Sequence, residues 1–348
     1  MSKITMITDY RDGNPYQKEL ADSLEQEGHQ IQFLSEKENF FRKTVRDDTS
    51  IVHFHWLAQL IYSENLIKTM FRFFVRVVEL FFLRLKGKKM VWTIHNLEAH
   101  ESRYPRTERL FKIICAKYFF DNIIVHCDRS RDQAIQSLRT NKEKFRVIPH
   151  GNYIESYPNN YDKDKAREYL DLDPESTVFL HFGRIRRYKQ VDKVIEQFKR
   201  TESEEACLLV VGKSHDKSLK KEIEDQIGSD ERIKIVDQYI QPDEIHIYMN
   251  ACDALVLGYK DITTSGTVIL GMSFGKPVVA PKKGCIPQQL SQTSSMVYNS
   301  INELSEKLEF AQESDLQKIG ERNYKTAKNQ SWDLIGEKTS ELYSELDK

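Results

Sequence analysis

Two loops in the second half of the chain combine cations, hydroxyl residues and glycine where an apolar strand gives way to a helix. The first loop holds Arg184 and Lys189 and directly follows the apolar run 178–182. A guanidinium fork and a mobile ammonium suit a pyrophosphate, whose charge needs neutralising when it leaves with a nucleotide. The pattern predicts a diphosphate clamp made of Arg184 and Lys189. A solvated basic loop is the alternative, because Arg186 and Arg187 are basic too.

The second loop lies between the apolar run 254–257 and another helical pattern. Small hydroxyl residues and glycine let backbone N–H groups approach an anion closely. We therefore expect one phosphate site lined by Gly183, Thr264, Ser265, Gly266 and Thr267. An ordinary helix N-cap is the alternative, since Ser and Thr are favoured there.

Composition limits the class of protein. The 348 residues are enough for two domains, and the net charge of −1 argues against a general nucleic-acid binder. The five cysteines are scattered without a Cys-x-x-Cys pair, so we expect neither a zinc site nor a disulfide framework. We also expect no catalytic metal. The N-terminus lacks the layout of a signal peptide, which predicts a cytoplasmic protein.

The elements that must position these loops follow a βαβ alternation, which predicts a parallel sheet with helices on both faces. In the first half the pattern predicts a helix at 17–26 and strands at 4–8, 30–34, 51–55, 90–94, 122–126 and 146–148. A second alternation runs from 178 to about 280. The polar stretch from Tyr153 to Asp164 between them predicts an interdomain linker.

Several motifs resemble glycosyltransferases of the GT-B fold, most closely the large bacterial group related to family 4. In the second half they are Phe182-Gly183-Arg184-x-x-x-x-Lys189, Leu208 to Gly212, Ile240 to Ile245 and Gly275 to Val278. In the first half, His53 to Trp56, Val91 to Asn96 and Ile148 to Tyr153 resemble a branch of bacterial polysaccharide glycosyltransferases. The resemblance covers nearly the whole chain.

The resemblance implies two Rossmann-like domains that face each other across a cleft. It places an acceptor-binding domain at 1–155, a nucleotide-sugar-binding domain at 165–330, and a C-terminal helix at 331–348 that crosses back to the first domain. It further implies a metal-independent hexosyltransferase that uses a GDP-mannose or UDP-glucose type of donor and a lipid-linked or polysaccharide acceptor. The nucleotide base is expected beside Tyr239 and Ile240.

One departure from the family pattern concerns two glutamates that precede the Gly-x-Pro-Val signature. Leu270 and Ile262 occupy those positions, so the anomeric outcome is not carried over. Asp261 directly precedes the second loop and is our candidate for binding sugar hydroxyls, with an ordinary turn residue as the alternative. The missing glutamates also allow a degenerate GT-B subunit that activates a partner transferase, although the intact Arg184 and Lys189 argue for an enzyme.

Candidates for the chemistry of the first domain lie after its strands. His95 follows the strand 90–94, and by resemblance a histidine in this loop lies by the donor sugar. Glu98 in the same loop is a candidate base for the acceptor hydroxyl. A structural histidine and a first-turn helix carboxylate are the respective alternatives.

The acceptor side is predicted from two further loops. Asn14 and Tyr16 belong to the loop after the first strand, where GT-B enzymes place phosphates and acceptor. His55 and Trp56 end the strand from Ile51 and could stack on a sugar, with an aromatic core plug as the alternative.

Residues 66–90 form a basic, aromatic segment. It holds a single acidic residue, Glu79, and seven basic ones: Lys68, Arg72, Arg76, Arg84, Lys86, Lys88 and Lys89. The charges interrupt the apolar run too often for a membrane span. The spacing predicts a helix that rests on an anionic leaflet, with Arg72 and Arg76 on its basic face and the protein peripheral on the inner face of the cell membrane. A helix packed into the first domain is the alternative.

Overall fold

The computed structural model describes residues 2–11, 13–35, 40–97 and 102–347. The chain divides into two compact units. Unit 1 comprises Met1–Gly151 with Gln330–Lys348, and unit 2 comprises Asn152–Asn329.

Unit 1 contains a six-stranded sheet in the order β2-β1-β3-β4-β5-β6, with every neighbouring pair parallel. The strands are β1 (Lys3–Ile7), β2 (Gln30–Leu34), β3 (Ile51–Phe54), β4 (Lys89–Thr93), β5 (Asn122–Val125) and β6 (Phe145–Val147). The helices are α1 (Pro15–Gln26), α2 (Phe40–Arg46), α3 (Leu66–Leu85), α4 (Pro105–Ile114) and α5 (Asp128–Leu138). The central strands β1, β3, β4 and β5 are largely buried and mostly apolar, as expected for a sheet covered by helices on both faces.

Unit 2 repeats this architecture with strand order β12-β11-β10-β7-β8-β9. Its strands are β7 (Thr177–Phe182), β8 (Ala206–Val211), β9 (Ile233–Val236), β10 (Ala254–Val256), β11 (Val278–Pro281) and β12 (Val297–Tyr298). Its helices are α6 (Lys163–Tyr169), α7 (Val191–Phe198), α8 (Lys217–Ile227), α9 (Ile245–Ala251), α10 (Gly266–Ser273), α11 (Ile286–Gln289), α12 (Leu304–Gln312) and α13 (Leu316–Lys328). The α/β fold of two parallel-sheet domains predicted from the sequence is confirmed.

The stretch that the sequence suggested as a linker packs as part of unit 2. Tyr153 is buried in the core of that unit, and Tyr157 and Tyr161 lie against the same core. The polar composition of 153–164 hides these three aromatic anchors, which explains the difference.

The last helix, α14 (Trp332–Leu346), packs on α1 within unit 1. Gly336 faces Ser23 so closely that a Cβ would overlap the serine hydroxyl, and that hydroxyl donates to the carbonyl of Trp332 at 2.7 Å. The buried side chains of Ile335 and Tyr343 extend the core beneath β1.

Both sheets reverse their winding at one point, between β1 and β3 in unit 1 and between β7 and β10 in unit 2. In an open parallel sheet, the loops that leave the carboxyl ends of strands at such a point diverge and form a crevice where ligands bind. The loops after these four strands are therefore where a site is expected in each unit. Among the described residues, no helix combines the length and apolar character that a membrane span requires.

Candidate active site

In unit 2, the loop after β7 begins with Gly183. Its backbone φ angle of +103° is readily adopted by glycine but is strained for other residues. A Cβ on Gly183 would lie 2.8 Å from the Nζ atom of Lys189 and 3.8 Å from the Oγ1 atom of Thr267. Gly183 thus lets the loop after β7 and the start of α10 come together around the Lys189 ammonium.

Lys189 is buried, with 6% of its surface exposed. Burial, followed by the nearby charges of Arg186 and Arg184, lowers its pKa to about 8. Within the described parts of the chain, its ammonium has no acidic partner. An unpaired cation in a poorly hydrated position is costly unless an anion compensates it.

The neighbouring arginines differ in their environment. Arg184 is exposed and forms no ion pair with any described residue. Arg187 instead pairs with Asp216 at 3.1 Å and Glu222 at 3.0 Å. In the predicted basic loop, the charge of Arg187 is thus neutralised, whereas Arg184 and Lys189 have no acidic partner among the described residues.

The loop after β10 forms the start of α10. The Oγ atom of Ser265 accepts the Val268 N–H at 3.2 Å and shares a 2.9 Å hydrogen bond with the Tyr259 hydroxyl. Ser265 is thus the N-cap that the sequence offered as the alternative, while the N–H groups of Gly266 and Thr267 have no partner among the described residues. Thr264 lies against Cys285, with 3.5 Å between Oγ1 and Sγ.

The structure places the other unit 2 candidates at different depths. Asp261 is exposed on the loop before α10, whereas Ile262 and Leu270 lie in the core of the unit. Tyr239 is half exposed and Ile240 is buried, both following β9, which is two strands away from β7.

A cavity of about 630 Å³ in unit 2 lies away from the clamp. Its lining includes Cys252, Asp253, Gly275 and Lys276, which are at the amino ends of β10 and β11. Because Arg184 and Lys189 follow the carboxyl end of β7, this cavity lies at the other edge of the sheet.

Unit 1 presents a row of histidines at the carboxyl edge of its sheet, which we call the histidine edge. One histidine follows each of β3, β4, β5 and β6, in the order His55, His95, His126 and His150. His55 and His95 are predicted from the sequence as site residues, whereas His126 and His150 are not. A histidine after each of four successive sheet strands is the signal that could have revealed them.

Tyr16 packs into the middle of this edge. Its ring makes edge contacts with His95 (4.8 Å between centroids), His150 (4.7 Å) and Trp332 (5.3 Å). Burial raises the pKa of Tyr16, whose hydroxyl bonds to Thr93. Tyr16 therefore acts as a neutral, buried hydrogen-bonding group.

The histidines are held neutral. Burial lowers the pKa of His126 to about 4 and that of His150 to about 3. The pKa values of His55 and His95 are also well below the usual range, mainly through burial and then through neighbouring histidines. Two positive charges on adjacent rings would repel each other in a poorly hydrated position.

His95 is the histidine of this edge that remains partly accessible. Trp56 stacks on its ring, with 4.5 Å between centroids and 13° between planes, and Tyr10 packs against Trp56 at 4.8 Å. Asn14 caps α1, because its Oδ1 accepts the Tyr16 N–H at 3.0 Å. The structure thus brings His55, Trp56, His95 and Tyr16 together, as the candidate site requires.

The remaining residues of unit 1 that the sequence predicts as functional are Arg72, Arg76 and Glu98. Arg72 is exposed on α3 and donates to the carbonyl of Tyr62. Arg76 turns toward the protein, pairing with Glu79 at 2.6 Å and lying 4.8 Å above the ring of Phe40. Glu98 lies outside the described residues.

No cluster of three or more His, Cys, Asp or Glu side chains suited to a metal ion occurs in the described ranges. The donor set of the candidate site is therefore made of cations, hydroxyls, backbone N–H groups and neutral histidines.

Comparison with known proteins identifies the class. Residues 162–330 match the family described as glycosyl transferases group 1. The GDP-mannose:glycolipid 4-beta-D-mannosyltransferase of Xanthomonas campestris pv. campestris is 27% identical over 273 residues, which cover 77% of this chain and 70% of the relative.

Two solved structures share the fold over nearly the whole chain. Anabaena HepE in complex with UDP and glucose has a TM-score of 0.75 at 19% identity, covering 99% of this chain and 100% of that one. Sucrose-phosphate synthase from Thermosynechococcus elongatus has a TM-score of 0.78 at 15% identity, covering 99% of both chains. The chain is thus a glycosyltransferase of the GT-B fold, whose residues 162–330 match the glycosyl transferases group 1 family.

Proposed function

We propose that this glycosyltransferase moves a hexose from a nucleoside diphosphate sugar to a lipid-linked or saccharide acceptor. The observation that carries the proposal is the unpaired, buried ammonium of Lys189 beside Gly183, with the unpaired Arg184 on the same loop. A diphosphate would supply the negative charge that this loop lacks. Two cations on a leaving diphosphate stabilise the charge that develops as the glycosidic bond breaks.

The start of α10 would complete the phosphate site. The Gly266 and Thr267 N–H groups are free for an anion, and the positive end of the α10 dipole favours one there. The approach of Thr267 to Gly183 supports a single site built from both loops. Tyr239 and the backbone of Ile240 would hold the nucleotide base.

We propose a donor of the GDP-mannose or UDP-glucose type. The Xanthomonas relative is named for GDP-mannose and a glycolipid, and the Anabaena structure contains UDP and glucose. Both sugars are hexoses, so the relatives agree on the sugar class and differ on the base.

For the transfer itself, we propose His95 and Asp261 as side chains that contact the sugars, with Glu98 as the base. Asp261 is exposed and adjoins the phosphate loop, so its carboxylate is available to sugar hydroxyls. Ile262 and Leu270 are part of the core and cannot take that role.

The test is ligand binding by thermal shift and calorimetry with UDP, GDP, ADP and their hexose conjugates. Arg184→Ala should abolish the selective shift given by the correct nucleotide and lower kcat/KM by roughly 10²–10³-fold, as for a lost oxyanion donor. Arg187→Ala is the matched control, because that arginine is already paired with acidic residues and should bind nucleotide normally. Unchanged affinity in Arg184→Ala would contradict the clamp.

We further propose that α3 docks unit 1 on an anionic membrane leaflet, at the inner face of the cell membrane. Its buried face carries Thr69, Phe73, Leu80 and Leu83. The opposite face forms the α3 stripe, an exposed apolar row of Ile67, Phe71, Phe74, Val78, Phe81, Phe82 and Leu85. Ile67 and Phe71 are 79% and 70% exposed, which is costly in water unless another apolar phase covers them.

Two exposed cations flank the α3 stripe. Lys68 and Arg72 are exposed and, by helical spacing, lie between the α3 stripe and the buried face. This arrangement supports an in-plane helix, with aromatic side chains in the headgroup layer and cations on acidic lipids. Each such cation contributes about 1 kcal/mol near an anionic surface.

Vesicle co-sedimentation tests the docking. Phe71→Ser with Phe74→Ser should abolish binding to phosphatidylglycerol-containing vesicles, and Lys68→Gln with Arg72→Gln should weaken it roughly 30-fold. Phe310→Ser with Tyr324→Ser removes exposed aromatic residues elsewhere and is the control. Equal binding to neutral vesicles would refute the role of the cations.

A further inference from the structure

His55 and His95 share a hydrogen bond between the Nδ1 atom of His55 and the Nε2 atom of His95, 3.1 Å apart. The two rings are nearly parallel, with 5.4 Å between centroids. His55 is fully buried, and its remaining nitrogen, Nε2, has no hydrogen-bond partner among the described residues.

A hydrogen bond between two neutral imidazoles needs one proton, and the surroundings decide which ring supplies it. If His95 donated from Nε2, His55 would accept at Nδ1 and carry its own proton on Nε2, where a buried N–H would have no acceptor. If His55 donates from Nδ1, only a lone pair is left at Nε2. Orphaned buried N–H groups are rarer in proteins than under-satisfied acceptors, which favours the second arrangement.

We propose that His55 is a positioning residue that holds His95 as its Nδ1-protonated tautomer, so that His95 offers the reaction a hydrogen-bond donor and not a base. The part of this inference that concerns catalysis rests on the proposed function. The Nε2 atom of His95 is occupied by His55, and its Nδ1 atom has no partner in the described part of the chain.

The surrounding aromatic residues fix the direction of this donor. Trp56 stacks on one face of the His95 ring, and the Tyr16 ring meets it at 90°. With the ring plane fixed and Nε2 bonded to His55, the Nδ1–H of His95 can serve an oxygen of the bound substrate.

The tautomer of His95 limits where the proton of the acceptor hydroxyl can go. A neutral His95 protonated at Nδ1 and bonded at Nε2 has no free lone pair for the acceptor hydroxyl proton. The proton released as the new glycosidic bond forms must pass to a group other than His95, which is the carboxylate base of the proposed function. The donor–sugar bond breaks at the same time, and its electron pair leaves with the diphosphate.

Nitrogen NMR of wild-type protein labelled with ¹⁵N-histidine tests the tautomer without any turnover. Long-range ¹H–¹⁵N spectra distinguish the two neutral tautomers, and the loss of one signal set in His95→Asn assigns His95. We expect His95 protonated at Nδ1 and His55 protonated at Nδ1. An Nε2-protonated His95, or a charged His95 at pH 7.5, would overturn the inference. Because the spectrum needs no substrate, this failure is distinct from a failure of the proposed function.

Two substitutions at His55 test its effect. Asparagine keeps an amide donor near the Nδ1 position, whereas leucine has none, so His55→Leu should populate the Nε2-protonated tautomer of His95 and His55→Asn should not. We expect His55→Leu to lose on the order of tenfold in kcat with little change in KM, and His55→Asn to recover most of it. Equal losses in both variants with an unchanged His95 spectrum would mean that His55 is only structural and would refute the proposal.

His95→Asn separates donor from base in the kinetics. Asparagine retains a donor near Nδ1 but cannot take up a proton, so it should keep measurable activity, while His95→Leu should lose roughly 10²-fold or more. Equal inactivity of the two variants, with a wild-type kcat that falls at low pH as one group takes up a proton, would point to a base and contradict the proposal.

Discussion

The Nζ atom of Lys189 lies 2.8 Å from the point where a Cβ would stand on Gly183. This proximity requires glycine at position 183, because φ is +103° and a methyl group would displace the ammonium. The backbone of one residue therefore sets the position of the buried cation.

Gly183→Ala should destabilise unit 2 by about 1–3 kcal/mol through backbone strain and should also weaken nucleotide binding. Gly228→Ala is the control, since its φ is +59° and its Cβ would meet nothing nearer than 3.9 Å. We expect both variants to unfold at lower denaturant concentration but only Gly183→Ala to lose nucleotide affinity in calorimetry. Normal binding by Gly183→Ala would show that Lys189 does not need this position.

The lowered pKa of Lys189 predicts that both the stability of the protein and its affinity for a diphosphate depend on pH. Its pKa of about 8 in the folded protein lies below the ordinary value of 10.5, so the unfolded chain binds more protons between these values. The stability of the ligand-free protein should rise with pH over that window, while diphosphate affinity falls above pH 8 as the ammonium loses its charge. Calorimetry with the nucleotide diphosphate from pH 7 to 9.5 checks this.

Lys189→Arg serves as the reference for this experiment. Arginine keeps its charge throughout the range, and both proteins share any titration of the ligand. The difference between the two affinities should therefore grow by up to tenfold per pH unit above 8. A constant difference would mean that Lys189 does not titrate in this range.

The buried histidines of unit 1 predict that the protein loses stability in acid. Burial lowers the pKa of His53 to about 3, of His126 to about 4 and of His150 to about 3. Below the ordinary value of 6.5 the unfolded chain takes up protons that the folded state does not, so stability is lost as pH falls. Each such histidine should cost about 1.4 kcal/mol per pH unit until its folded pKa is reached.

Urea unfolding between pH 7 and 4.5 measures this slope. His126→Asn should reduce the proton uptake by about one, because asparagine does not take up a proton. Its amide can still donate to the Ile148 carbonyl, which Nδ1 of His126 contacts at 3.0 Å, so the packing should be kept. His215→Gln, which removes an exposed histidine, is the control substitution. A wild-type slope of less than one proton would contradict neutral buried histidines.

Removing one hydroxyl group from the C-terminal helix should lower the unfolding free energy of unit 1. The Tyr343 hydroxyl bonds to Nδ1 of His53 at 2.6 Å, and Nε2 of His53 bonds to Thr93 at 2.7 Å. Tyr343→Phe leaves His53 with a buried unpaired nitrogen and should cost about 1–3 kcal/mol of unfolding free energy. Tyr324→Phe, at a partly exposed tyrosine of unit 2, should cost nothing measurable by the same denaturation assay.

Local sequence patterns were enough to predict the strands of this protein and its glycosyltransferase class. Apolar residues predicted the strands of unit 1 to within one residue at each end, such as 51–55 against Ile51–Phe54 for β3, because a sheet covered on both faces favours apolar side chains. The Phe-Gly-Arg motif and the hydroxyl loop marked the carboxyl ends of β7 and β10, and the resemblance they carry gave the glycosyltransferase class, now confirmed.

Contacts between distant residues were decided only by the tertiary structure. Whether Arg184 or Arg187 is free depends on Asp216 and Glu222, which lie on another loop and helix. The pairing of His53 with Tyr343 joins residues 290 positions apart, and the histidine edge exists only because four strands lie side by side. Sequence periodicity records which side of an element is buried. Charge neutralisation and tautomer choice depend on what each buried group meets, which is set when the chain folds.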